Sequence, residues 1–233
     1  MRRNMKRNLR WAGLALAAAV QSSAIAAPWA SSAGEQLQLK LPTFASDPVE
    51  LVDLESGVGV AVAPIGVARV RAEQLKAGLS FANAFGEAHV LIAAHPGGFE
   101  DTTYFQTRPA EERARYQLKL QNVAGVRLFD NVLELLDEQG TPRLRMNRPW
   151  IRDRFGEVHG LTVKLSGCTF DTSPLPPWRR PTIPPGSNAC ELMLDWSELE
   201  LEYPVELDPS WTLTGATERR FSGVVVGKPK NSR

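Results

Sequence analysis

The sequence contains few of the residues on which metal and thiol chemistry depends. Its 233 residues include two cysteines and three histidines, and no H-E-x-x-H pair, nucleophile elbow, phosphate-binding glycine loop or dinucleotide fingerprint is present. No cysteine or aspartate accompanies His89, His95 or His159 at a spacing typical of metal ligands. We therefore predict no metal site, no cofactor and structural roles for the three histidines, and we expect a protein that is not an enzyme.

Long apolar runs are also absent. Crossing a membrane takes about 20 apolar residues, whereas the run from Trp11 to Val20 has only ten. It follows a basic N-terminus and precedes small residues that end in an A-x-A pattern, Ala24 to Ala26. This order is typical of a cleavable secretory signal. We predict a signal peptide over residues 1–26 and export to the periplasm, the cell surface or the extracellular space.

Charge of one sign is not in large excess. The chain has 27 basic and 26 acidic residues, and five of the basic residues lie in the predicted signal, so 22 against 26 remain and the net charge falls from +1 to −4. A mildly acidic chain has no electrostatic attraction to nucleic acid or to anionic lipid. We predict no nucleic-acid partner and no membrane span after cleavage, and we expect an envelope or extracellular partner that is a carbohydrate or a protein.

The two cysteines, Cys168 and Cys190, both follow the predicted signal. In an oxidising compartment such a pair is expected to form a disulfide. The bridge would close a loop of 21 residues and stabilise the fold by roughly 3 kcal/mol. The alternative, a pair of zinc ligands, lacks further ligands at suitable spacing.

Strict alternation of apolar and polar residues recurs along the chain, which is typical of half-buried strands. Turn-forming residues between apolar runs predict hairpins around residues 95–98, 137–142 and 153–156. Short helical turns fit only residues 70–79 and 109–115. We predict an all-β fold, an antiparallel β-sandwich-like module with minimal helix. The alternating segments are Leu37 to Leu41, Tyr116 to Leu120, Leu161 to Leu165 and Leu199 to Tyr203.

The segment between the cysteines differs in kind because it contains six prolines. Proline cannot donate to a ladder of hydrogen bonds, so this segment is predicted to be an extended loop pinned by the disulfide. Trp178, Arg179 and Arg180 lie in its middle, and an exposed aromatic side chain beside arginines suits contact with a sugar, a peptide or a partner domain. We take these three residues as the candidate binding site. In the competing interpretation Trp178 folds back to cover a sheet edge and the arginines are merely solvated.

Paired carboxylates offer an alternative function. Acids such as Asp153 or Asp195 in a cleft would make the protein an extracellular hydrolase acting on polysaccharide or peptide. However, Asp153 and Asp208 lie in turn contexts, where carboxylates accept hydrogen bonds from backbone amides. The sequence therefore favours the non-enzymatic interpretation.

The segment Tyr203 to Trp211 resembles the Y-P-x-x-x-D-P signature that closes an N-terminal β domain of large exported bacterial proteins, where it precedes kelch-like propeller or Rhs/YD-type repeats. Residues 81–85, 98–101 and 133–146 resemble further structural motifs of that domain in the same order. Residues 168–178 resemble the disulfide-loop version found in myxobacterial secreted proteins. The likeness covers about residues 58–222 and implies a β-sandwich-like module that caps or presents a repeat domain.

These observations divide the chain into a signal peptide at 1–26, an N-terminal extension with edge strands at 27–57, a β-sandwich-like module at 58–211 and a tail at 212–233. The tail resembles the lead-in to a first propeller blade, but only six residues follow Gly227, which is too few for a four-stranded blade. A stand-alone module and a truncated repeat protein stay open as alternatives. We expect an exported non-enzymatic binding or assembly module.

Overall fold

The structure is a computed structural model that describes residues 36–76 and 78–214, and these residues form seventeen β-strands and no helix. The predicted helical turns at 70–79 and 109–115 are wrong, because both regions run into strands. The strands are β1 Leu37–Lys40, β2 Val49–Asp53, β3 Gly59–Pro64, β4 Glu73–Leu75, β5 Gly78–Phe85, β6 Ala88–His95, β7 Gly98–Phe105, β8 Arg113–Gln121, β9 Gly125–Phe129, β10 Val132–Leu136, β11 Pro142–Met146, β12 Trp150–Arg152, β13 Val158–Gly160, β14 Thr162–Ser166, β15 Ala189–Asp195, β16 Val205–Asp208 and β17 Ser210–Leu213.

The smaller sheet has six antiparallel strands in the order β1-β2-β3-β8-β15-β14. Its central strand β8 buries every second residue, from Ala114 to Leu120, as the alternating pattern predicts. Strands at 37–40, 113–121 and 162–166 confirm three of the four alternating segments. The first two strands belong to the predicted N-terminal extension: β1 pairs with β2 at the edge, and β2 pairs with β3 of the same sheet.

The larger sheet has eleven strands and forks at β7. One side of β7 pairs with β6 along its length, and β5 and β4 continue the sheet beyond β6. The other side is shared: residues Thr103 to Phe105 pair with β16, while Gly98 to Glu100 pair with β17. From there one branch continues through β12 to β13 and the other through β11 and β10 to β9. Two of the three predicted hairpins are present as β6–β7 and β10–β11. The third turn also joins two paired strands, but β12 pairs with Val158–Gly160, whereas most of the predicted partner segment, residues 160–165, forms β14 in the smaller sheet.

The fork lies at Pro209, between β16 and β17. A proline has no N–H to donate, and the carbonyl of Pro209 accepts a hydrogen bond of 3.1 Å from the Asp101 amide on β7. The preceding alternating segment, Leu199 to Tyr203, does not form a strand, contrary to the prediction. The Leu199 amide instead donates to the Trp196 carbonyl at 3.0 Å, which turns the chain while Leu201 remains buried.

The two sheets form a sandwich-like arrangement, and their apolar faces make the core. The inward face of β7 carries Phe99 and Phe105, and that of β8 carries Tyr116 and Leu118. Residues of both strands line a cavity of about 30 Å³. Trp196 and Trp211 are each 1% exposed and are the largest of the fully buried side chains.

The predicted signal peptide lies outside the described residues, as does the tail beyond residue 214. The predicted tail, which resembles the start of a propeller blade, begins at residue 212. Its residues Thr212 and Leu213 lie together with Trp211 in β17 of the larger sheet. Within the described part of the chain, no helix has the length and apolar character needed to cross a membrane.

Candidate binding site on the disulfide loop

The predicted disulfide between Cys168 and Cys190 is confirmed. Cys190 lies in β15, Cys168 follows β14 by two residues, and their Cα atoms are 5.2 Å apart. Because β14 and β15 are antiparallel neighbours, the bridge closes the base of the connection between them. We refer to residues 168–190 as the disulfide loop.

The disulfide loop leaves the smaller sheet and lies along the edge strand β9 of the larger one. The Asp171 amide donates to the Val126 carbonyl at 2.8 Å, and the Asp171 carbonyl accepts from the Leu128 amide at 2.9 Å. This parallel bridge satisfies main-chain groups that an edge strand otherwise leaves unpaired. The loop therefore covers a sheet edge. The competing interpretation gave this role to the Trp178 side chain, whereas in the structure the backbone at Asp171 performs it.

Glycine allows the close approach of the loop to the sheet. A Cβ atom placed on Gly125, at the start of β9, would lie 2.4 Å from Cγ2 of Thr182. Gly140, in the β10–β11 turn, likewise approaches the loop, since a Cβ atom placed on it would lie 3.0 Å from the carbonyl oxygen of the buried Pro177. The proline-rich pattern predicts the loop, whereas β9 and its contact with the loop are visible only in the structure.

A buried ion-pair network of the larger sheet also binds the loop. Arg127 on β9 places Nη1 2.6 Å from Oε2 of Glu134, and Arg145 places Nη2 2.6 Å from Oε1 of the same carboxylate. The Nε of Arg127 also donates to the Ser173 carbonyl at 3.1 Å. The loop is thus tied to the charged interior of the β9–β10–β11 ribbon as well as to the β9 backbone.

The three candidate residues have different roles in this geometry. Arg180 is engaged inside the loop, because its Nε donates to the Pro176 carbonyl at 2.8 Å and its Nη2 pairs with the Asp171 carboxylate. Burial alone would raise the pKa of Asp171, but hydrogen bonds from the Ser173 amide and from Arg180 lower it. Arg179 is exposed, in the left-handed region at φ 65°, and Trp178 is 51% exposed. Trp178 and Arg179 therefore face solvent, while Arg180 holds the loop in shape.

The disulfide loop concentrates exposed apolar side chains. Eight large hydrophobic residues are exposed in the described part of the chain, and three of them lie in one nine-residue stretch of this loop. They are Leu175, Trp178 and Ile183, which are 60%, 51% and 42% exposed. Single exposed hydrophobic residues are ordinary on protein surfaces, and these three are considered together because one pinned loop carries them all. We refer to these three residues as the apolar tip.

The carboxylates considered for the alternative hydrolase function stabilise the fold. Asp195 accepts hydrogen bonds from Ser197 and Lys164, which lower its pKa to about 2, so this group is ionised at ordinary pH and has no proton to donate as a general acid. Oδ1 of Asp153 accepts the amides of Phe155 and Glu157, both at 2.9 Å, as its turn context predicts. The turn context proposed for Asp208 is wrong, because this residue ends β16.

Two clusters of polar side chains were not predicted from the sequence. Asp101 and Tyr116 are both buried and line the same cavity in the core, and a signal was present, since alternation along β7 places Asp101 on the same face as Phe99. Asp153, Glu157 and His159 offer ligand atoms within 4.8 Å of one another. Spacing along the chain did not indicate this second grouping, because the β12–β13 hairpin brings the three side chains together.

The fold and the loop define an all-β, disulfide-bonded protein with a pinned loop that carries an apolar tip. No family model, no curated protein and no solved structure matches the chain.

Proposed function

We propose that the protein is an exported, non-enzymatic binding or assembly module of the cell envelope or extracellular space, and that it contacts its partner through the apolar tip and Arg179. The observation that carries this proposal is the half-exposed Trp178 on a loop that a disulfide and a β9 bridge hold in place. A loop whose backbone is already held in place loses little conformational entropy on binding. The disulfide is compatible with an oxidising, exported location.

The chemistry of the tip suits a partner with apolar faces and acceptor groups, such as a carbohydrate or an extended protein segment. A tryptophan ring supplies a large apolar surface with one N–H donor, and the exposed Arg179 adds a positive charge. The resemblance to an N-terminal β domain of repeat proteins supports an assembly role for the same surface. We include the association with kelch-like repeats in the proposal on that basis alone.

The proposal is tested by replacing the exposed ring without disturbing the loop. Trp178→Ala should lower co-sedimentation of the purified, disulfide-intact protein with isolated cell-wall polysaccharide or with envelope membranes by at least about tenfold, because exposed aromatic anchors dominate such contacts. Phe155→Ala is the matched control, since Phe155 is 70% exposed and lies under the guanidinium of Arg154 at 5.2 Å in a different turn. The fraction that loses binding identifies whether the partner is a polysaccharide or a membrane-held protein.

Unfolding curves and the mass of the oxidised protein establish that both variants keep the native fold. Equal binding by the wild type and by Trp178→Ala would remove the tip from the proposal. Equal losses in Trp178→Ala and Phe155→Ala would indicate non-specific hydrophobic adsorption and would also count against it.

A further inference from the structure

The β12–β13 hairpin, at the far end of one branch of the larger sheet, carries three side chains with ligand atoms for metals. One such atom from each of Asp153, Glu157 and His159 lies within 4.8 Å of the other two. The hairpin backbone fixes their spacing, because the Asp153 amide donates to the Glu157 carbonyl at 3.0 Å and His159 pairs in register with Ile151.

The carboxylates keep acceptor capacity after the turn has formed. Oδ1 of Asp153 is occupied by two backbone amides. Within residues 36–76 and 78–214, Oδ2 of Asp153 and the side-chain carboxylate of Glu157 form no hydrogen bond or ion pair. Turn geometry therefore accounts for one of the four carboxylate oxygens and leaves three for another purpose.

The imidazole supplies an independent observation. Nε2 of His159 is shielded from solvent and has no hydrogen-bond partner among the described residues. Buried polar atoms in folded proteins are ordinarily paired, so this ring nitrogen, on a side chain grouped with two carboxylates, is available to a ligand. No direct ion pair joins His159 to either acid in the described structure. Two ligands about 2.1 Å from a tetrahedral ion lie about 3.4 Å apart, so binding would draw the three side chains together by rotamer changes from the spacing of up to 4.8 Å.

We propose that Asp153, Glu157 and His159 bind one divalent transition-metal ion of the zinc class. One imidazole nitrogen with carboxylate oxygens is a donor set that zinc accepts in four-coordinate sites. Calcium and magnesium instead prefer six or more oxygen ligands, which three side chains at one turn do not supply. Three protein ligands leave a fourth position for water, and the ion would clip the tip of the hairpin. This site is separate from the disulfide loop, so the inference stands or falls independently of the proposed function.

Calorimetric titration of Zn²⁺ into tag-free, EDTA-treated, disulfide-intact protein tests the site. We expect one saturable equivalent, and Mg²⁺ and Ca²⁺ should bind at least about tenfold more weakly. His159→Gln and Glu157→Gln should each weaken Zn²⁺ binding by at least about tenfold, since even outer-shell changes cost that much. His89→Gln is the matched control, because it removes an imidazole from β6 and should leave binding unchanged. Asp153 is not varied, because its Oδ1 holds the turn.

Thermal unfolding gives a second readout. Zn²⁺ should raise the melting temperature of the wild type and of His89→Gln, but not that of His159→Gln, because a ligand stabilises only the state that binds it. The absence of saturable Zn²⁺ binding to the wild type would overturn the inference, as would full binding by His159→Gln. If His159→Gln does not fold, the exposed Glu157→Gln decides in its place, and unchanged binding by that variant would equally overturn the site.

Discussion

The carboxyl group of Asp101 should make the stability of the protein fall as the pH rises through neutrality. Asp101 is 7% exposed, and its Oδ1 has no hydrogen-bond partner among the described residues. Burial raises the pKa of Asp101 to about 7, although the hydrogen bond from Tyr116 opposes the shift. The pKa of the nearby Asp208 is also raised to about 7, first by burial and then by the charges of Glu100, Glu206 and Asp101.

The sign follows from proton binding. In the unfolded chain Asp101 titrates near 3.8, so between that pH and about 7 the folded state holds a proton that the unfolded state has lost. Stability from this group is therefore complete below pH 3.8 and is lost as the pH rises to 7. A shift of about three pKa units corresponds to roughly 4 kcal/mol, of which roughly 3 kcal/mol is lost between pH 5 and pH 8.

Asp101→Asn removes the titrating proton while keeping nearly the same shape. The change in unfolding free energy caused by this substitution should be more favourable at pH 8 than at pH 5 by roughly 3 kcal/mol, because the variant has no charge to bury. Urea unfolding at both pH values, followed by the fluorescence of the buried Trp196 and Trp211, measures this difference. Part of the pH dependence should survive in the variant, since Asp208 still titrates.

Glu200→Gln is the control, because Glu200 is exposed, and its unfolding free energies should follow those of the wild type at both pH values. The reasoning is refuted if the effect of Asp101→Asn differs by less than about 1 kcal/mol between pH 5 and pH 8, which is under a third of the linkage term. It is also refuted if the wild type is more stable at pH 8 than at pH 5 while Asp101→Asn behaves identically.

Two further predictions concern stability. Glu134→Gln should lower the unfolding free energy by about 3 kcal/mol, because it leaves two arginines without the buried carboxylate that each contacts at 2.6 Å; a loss below about 1 kcal/mol in urea unfolding would show that solvent replaces the pair. Gly98→Ala should cost at least about 3 kcal/mol, since its Cβ would lie 1.8 Å from the Trp211 carbonyl oxygen. Gly160→Ala, whose Cβ would meet nothing within 4 Å, should change the melting temperature little, and similar losses in both variants would contradict the steric explanation.

Local pattern predicted about half of the strands, but it did not predict which strands pair with one another. Alternation identified β1, β8 and β14, because a half-buried strand must place every second residue in the core. It failed at Leu199 to Tyr203, where the same period occurs in a turn that buries Leu201. Alternation shows which side chains are apolar, but it does not show whether a neighbouring strand is available for pairing.

The candidate site was predicted in part. The disulfide followed from cysteine count and the predicted compartment, and the loop followed from its prolines. The docking of Asp171 on β9 and the engagement of Arg180 depend on contacts between residues that are distant in sequence. The cluster of Asp153, Glu157 and His159 likewise depends on the hairpin register. Sequence spacing alone contains neither piece of information.

The bridge at Asp171 also bears on self-association. An uncovered β9 would present free amide and carbonyl groups to the β9 of another molecule, and such edges template aggregation. Because the Cys168–Cys190 bond holds the covering segment at its base, thiol oxidation before the chains meet at high concentration would keep them apart. The order of these two events thus bears on whether the protein accumulates as monomers or as aggregates.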